Sequence, residues 1–199
     1  MNMKECVNEY IKKHWKNTIR TGISKSDEIP LPYPTTVPCE NQRFTYFFYW
    51  DTYFANLGLL YDMPNQALNN LRNMNYLVDR FGFIPNANLT SMLNRSQPPL
   101  FCCAVYDYYC LYPSMDIVYE FFGNMQREYE FWMKSRTAAC GLNGYSSSAT
   151  KEEIEALIDE VSLRGVIDKK DCEAYEKAKN LFAEAESGWD FSPRFGGRA

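Results

Sequence analysis

Between residues 5 and 20 apolar side chains recur at Val7, Tyr10, Ile11, Trp15 and Ile19, three or four positions apart, which predicts an amphipathic helix. The same period returns over 49–61 and 64–80, where Ala67, Leu68, Leu71, Met74, Leu77 and Val78 mark one face and Gly82 supplies a stop; two helices joined by a short turn are expected. Pro98 and Pro99 restart the chain into an apolar stretch reaching Tyr112, and Pro113 opens another with Ile117, Val118, Phe121, Phe122, Met125, Tyr129 and Trp132 at helical spacing. Beyond a small polar loop at 141–148, Thr150-Lys151-Glu152-Glu153 has the form of a capping box, and a last helix is expected over about 169–186, ended by Gly188. Pro30, Pro32, Pro34 and Pro38 remove backbone donors and fix extended geometry, so 29–38 should run as an irregular strap. Convincing period-two alternation is absent. The pattern predicts an all-α fold of antiparallel helix pairs whose loops carry the polar motifs.

With 199 residues, 46% of them hydrophobic, the chain suits a single folded domain spanning 1–199. Its net charge of −4, with acids and bases mixed, leaves no basic stripe for nucleic acid and no polybasic membrane anchor. No stretch is apolar enough to span a bilayer, and the N-terminus lacks the apolar run of a signal peptide. The seven cysteines show no metal-ligand spacing and His14 is the only histidine, which argues against a zinc site or a Cys/His dyad and suits a reducing cytoplasm. Asn88-Leu89-Thr90 and Asn94-Arg95-Ser96 match the glycosylation sequon, a match expected to be accidental if the chain is not secreted.

Aromatic residues reach 16%, a large supply of flat apolar faces on which sugars stack. The segment Ser187-Gly188-Trp189-Asp190-Phe191 sets a carboxylate between aromatic rings, and Arg194 follows. Glycoside hydrolysis requires an acid to protonate the departing oxygen and a second carboxylate to activate water or attack the sugar. Rings beside Asp190 would desolvate it and raise its pKa, the behaviour of a proton donor, while Arg194 would oppose this; a helix-terminal Gly-Trp-Asp is equally the form of a capping turn. Arg43, Trp50, Asp51, Asn86, Arg95 and Gln97 supply the planar groups that hold vicinal hydroxyls and a ring that can stack. Each also has a structural role open to it: a helix cap for Asp51, a turn for Asn86, a surface ion pair for Arg95.

Three segments in order, Arg43-Phe44 with Tyr49-Trp50-Asp51, Ile84-Pro85-Asn86 through Asn94-Arg95-Ser96-Gln97-Pro98-Pro99, and Ala185-Glu186-Ser187-Gly188-Trp189-Asp190-Phe191-Ser192, resemble the motifs of the α,α-trehalases. The early helix at Tyr10 to Arg20 and the strap Leu31-Pro32-Tyr33-Pro34 extend the likeness over nearly the whole chain. The resemblance implies an (α/α)6 toroid of which about half is present, and an inverting hydrolysis of α,α-trehalose to glucose. It makes Asp190 the general acid, places a glucose unit against Arg43, Trp50, Asp51, Asn86, Arg95, Gln97 and the backbone of Gly188, and calls for no cofactor and no metal. The family's base is a glutamate well downstream of the acid segment. A half toroid would leave helix faces open, to be closed by a second chain or by further helices.

Two departures bear on substrate. Cys39-Glu40-Asn41-Gln42 stands where the family has a tight glycine pair, and Ser146-Ser147-Ser148-Ala149 falls in the region of its Arg-Pro-Glu sugar-binding element. Ser192-Pro193-Arg194-Phe195 leans toward the related processing α-glucosidases. An α-glucosidase or glucosyl-glycerate hydrolase, and a noncatalytic sugar-binding fragment, are the alternatives.

Overall fold

The computed structural model describes residues 2–22, 26–40, 44–190 and 192. Helices α1 (Met3–His14), α2 (Tyr49–Asp62), α3 (Pro64–Phe81), α4 (Phe101–Leu111), α5 (Met115–Ser135), α6 (Lys151–Leu163) and α7 (Ala174–Ser187) carry the architecture, joined by short 3-10 turns at Trp15–Thr18 and Thr90–Met92. The last six form three antiparallel hairpins in chain order, as the periodicity predicts. Strands β1 (Ile19–Arg20) and β2 (Thr35–Thr36) pair antiparallel, with Ile19 opposite Thr36. A pair two residues long contains too little sequence to show alternation, so the pattern missed it.

The first helix stops at His14 rather than running to Arg20. Thr18 Oγ1 donates to Trp15 O at 2.8 Å, closing a tight turn, and the following residues are taken by β1. Its start is a true capping box: Glu5 N donates to Asn2 Oδ1 at 3.0 Å and Asn2 N to Glu5 Oε2 at 2.8 Å. None of its side chains is buried, and Tyr10 is 60% exposed. Trp15, just beyond, anchors it. The indole lies so close to α2 that a Cβ on Gly58 would sit 2.9 Å from the ring, which explains a glycine in mid-helix.

The principal core lies between α2, α3, α4 and α5. Leu71, Met74, Leu77 and Val78 of α3, Tyr49 and Leu59 of α2, Phe101 of α4 and Phe121 of α5 are all fully enclosed. Each such apolar side chain contributes about 1.5–3 kcal/mol by leaving water. The exposed positions of α5 correct the sequence pattern: Phe122 and Tyr129 lie on its open side, at 60% and 63% exposure, while Phe121 and Trp132 face inward.

A second face of α3 is buried and polar. Asn70 Oδ1 accepts from Thr36 N at 3.1 Å, Asn73 exchanges bonds with the backbone of Tyr33, and Gln66 Nε2 donates to Pro34 O at 2.9 Å. This ladder satisfies backbone groups that the proline strap, lacking regular pairing, would otherwise bury without partners. The strap is therefore irregular and yet fixed.

Hairpin α6/α7 has a smaller core of its own, including Ile154, Ile158, Val161, Ala178 and Phe182. The predicted capping box forms at its start, with Glu153 N on Thr150 Oγ1 at 3.3 Å and Thr150 N on Glu153 Oε2 at 2.7 Å. Helix α7 begins at Ala174, later than the expected 169, because Asp168 and Asp171 accept from Lys170 N and Glu173 N at 2.9 Å and hold that stretch in turns.

Candidate active site

The polar motifs meet where the start of α2, the loop before α4 and the end of α7 come together. At the start of α2, Trp50 N would be an orphan donor of the first turn; Gln97 Oε1 accepts from it at 2.9 Å and ties the loop before α4 to the helix. Asn86 is equally committed to architecture. Its Nδ2 donates to Ser96 O at 3.2 Å and to Ala185 O at 3.0 Å, joining this loop to α7. Its backbone accepts from Tyr49 N and donates to Arg95 O. The same loop buries both sequon asparagines, Asn88 and Asn94, at 2% and 7% exposure.

Helix α7 ends at Gly188 in the left-handed conformation, φ 71°, which a side chain rarely adopts. Space enforces the choice as well, because a Cβ there would lie 2.5 Å from the Trp50 ring. Trp50 thus covers the backbone of Gly188, and the carboxylates two segments apart in sequence become neighbours. Loss of hydration raises the pKa of Asp51, and the charge of Asp190 raises it further. Asp190 is exposed as a residue, but its carboxyl is also raised by partial desolvation, with Arg95 pulling the other way. Trp189, next to it in sequence, is 53% exposed.

Arg95 sits over the Phe182 ring at 5.2 Å and donates through Nη1 to Asn94 Oδ1 at 2.7 Å. Its Nε is buried without a hydrogen-bond partner. Desolvation lowers its pKa, opposed by Glu153, Asp190 and Glu186 in that order. Trp50, Asp51, Arg95, Gln97, Gly188 and Asp190 are therefore brought to one place, with Asn86 beneath them. Arg43 lies outside the described residues, as does Phe191. A cleft of about 390 Å³ lies against Trp50 and Asp51, walled by Trp15, Val37, Pro38 and Phe54. No cluster of His, Cys, Asp or Glu suited to a metal occurs among the described residues.

The buried carboxylates that escaped the sequence reading include Glu186 and Glu128. Glu186, fully enclosed, meets Arg136 in a bidentate pair, Nε to Oε2 and Nη2 to Oε1, each at 2.8 Å. Glu128 accepts from Tyr49 Oη at 2.6 Å, and the same hydroxyl accepts from Leu100 N at 2.8 Å and Phe101 N at 2.7 Å, bracing the starts of α2 and α4. Burial pushes Glu128 up to about 7, moderated by the tyrosine hydrogen bond. A signal for Glu128 was present, since it stands on the apolar face with Phe121, Met125 and Trp132. Nothing local marks Arg136 as the counterion of Glu186 across the fold.

Three antiparallel helix pairs in chain order, with polar motifs gathered at one place, make this a part of an all-α helical-hairpin architecture. Residues 2–198 match the Trehalase family. The periplasmic trehalase of Xanthomonas campestris pv. campestris (strain 8004) is 31% identical over 212 aligned residues, covering 96% of this chain and 36% of that protein. The trehalase of Dictyostelium discoideum is 33% identical over 183 residues, covering 84% of this chain and 30% of that protein. Neutral trehalase Nth1 from Saccharomyces cerevisiae shares the fold, with a TM-score of 0.66 at 22% identity over 94% of this chain and 40% of that one. The chain belongs to the trehalase family and spans about a third of the length of the curated relatives it matches. The expectation of a cytoplasmic protein draws no support from these relatives, one of which is named as periplasmic. No helix among the described residues is long and apolar enough to cross a membrane.

Proposed function

We propose that the chain is a single partial catalytic domain of a glycosidase that hydrolyses α,α-trehalose to glucose with inversion, Asp190 acting as the general acid. The observation that carries this is the convergence of Asp190, Asp51 and Arg95 at the point where Gly188 packs under Trp50. A raised carboxyl pKa keeps a proton available for the departing oxygen, and the nearby guanidinium orients hydroxyls. Trp50, Asp51, Arg95, Gln97 and Gly188, with Arg43 and Asn86, form the binding set for one glucose unit. The hydrogen bonds of Asn86 and Gln97 to Ser96 O, Ala185 O and Trp50 N support a role in shaping that set. The water-activating base is not assigned among these 199 residues.

Phe54, Tyr61 and Tyr106 present exposed apolar surface on α2 and α4, which supports cover by further helices, whether from a second chain or from additional sequence. The exposed thiols of Cys6, Cys102, Cys103, Cys110, Cys140 and Cys172 support a reducing compartment. Trehalose binding by calorimetry, together with glucose release by a longer protein that contains this segment and a catalytic base, tests the proposal. Binding that survives Asp190→Asn but is lost in Asp51→Ala, with release abolished in both, is expected; release unchanged by Asp190→Asn would remove the acid role. Binding without any turnover gives the noncatalytic sugar-binding alternative.

A further inference from the structure

Hairpin α6/α7 owns a separate apolar core, and hydrogen bonds link it to the rest of the site. At their centre stands Glu186. Its carboxylate accepts from Arg136 Nε and Nη2, from Ser96 N at 2.8 Å and from Ser146 N at 2.7 Å. The side chains of Arg136 and Glu186 are 3% and 0% exposed. One carboxylate thereby ties the end of α5, the loop before α4, the loop before α6 and the last turn of α7.

A buried ion pair is a poor source of net stability, since desolvation offsets the Coulombic gain and apolar pairs of similar volume serve as well. Its distinctive property is direction. A planar guanidinium and two backbone amides fix the carboxylate in position and angle, which an apolar contact does not. Ser96 follows Arg95 directly, and Glu186 precedes Gly188 by two positions and Asp190 by four. Arg95 and Asp190 are therefore both set from a common reference.

We infer that Arg136 and Glu186 are positioning residues, whose buried pair fixes Gly188 and Asp190 against Trp50 and Arg95. The inference rests on the reading of Asp190 as the acid and adds what holds it in place. Gly188 offers a readout independent of catalysis: it lies against the Trp50 ring, so its Hα resonances should be displaced by the ring current. In the full chain, NMR of Glu186→Gln, which retains an acceptor for the backbone amides, is expected to lose more than half of that displacement. Arg136→Lys, with charge but no fork, should lose part of it. Trehalose affinity should fall about tenfold in Glu186→Gln. Thr150→Ala, which loosens the start of α6 without touching the pair, should leave the affinity unchanged. Folded Glu186→Gln with fully displaced Gly188 resonances overturns the inference; if that variant does not fold, unchanged displacement in Arg136→Lys does so. Displacement lost as expected, in a wild-type chain that binds no trehalose, sinks only the proposed function and leaves the positioning role standing.

Discussion

Replacing Glu128 by Gln isolates the energetic effect of one buried carboxyl. Glu128 lies 2% exposed between α2, α4 and α5, with Tyr49 Oη donating to Oε1 at 2.6 Å. Its pKa rises from 4.5 to about 7, chiefly through lost hydration. The folded protein therefore binds the proton more tightly than the unfolded chain. Stability from this group is intact below pH 4.5 and declines as pH rises through the folded value near 7. At about 1.4 kcal/mol for each pKa unit, the gap corresponds to about 3 kcal/mol lost by pH 8. Gln retains an acceptor for Tyr49 and cannot ionise. Urea unfolding of both proteins from pH 4.5 to 8 should show their stability difference moving in favour of Gln by about 3 kcal/mol, most steeply between pH 5 and 7. An absolute offset from an imperfectly bonded amide is constant with pH and does not disturb this slope. Parallel pH profiles for the two proteins would refute the raised pKa.

Gly188→Ala meets both a positive φ of 71° and the Trp50 ring at 2.5 Å, so thermal unfolding should show a loss of about 2–4 kcal/mol, accompanied by weaker trehalose binding. Asn70→Ala strips the strap of an acceptor for Thr36 N and should cost about 2–3 kcal/mol by urea unfolding, whereas Asn69→Ala, at the half-buried position just before it, should cost under about 1 kcal/mol. Asp190→Asn removes a negative neighbour of Asp51, so the Asp51 carboxyl should titrate lower by carbon-detected NMR; an unmoved titration would show that the two groups are apart.

The periodicity of the chain was enough to place the hairpins, since an apolar stripe every three or four residues can be enclosed only by a helix against its neighbours, and Thr150 with Glu153 announced its own cap. Motif order likewise named the residues that gather around Trp50. What the sequence concealed were partnerships between distant polar groups. Asn70 and Gln66 look like surface positions until the strap passes over them, because a side-chain amide gives no local sign of the backbone it will serve. Phe122 and Phe121 are chemically alike, and only the tertiary packing decides that one is enclosed and the other open. Local composition thus determined the helices, their caps and the chemical inventory of the site, because these depend on contacts within a few residues. The pairing of Arg136 with Glu186, the ionisation of Glu128 and the meeting of Asp51 with Asp190 were decided by the tertiary structure, because desolvation and charge act through space across long stretches of chain.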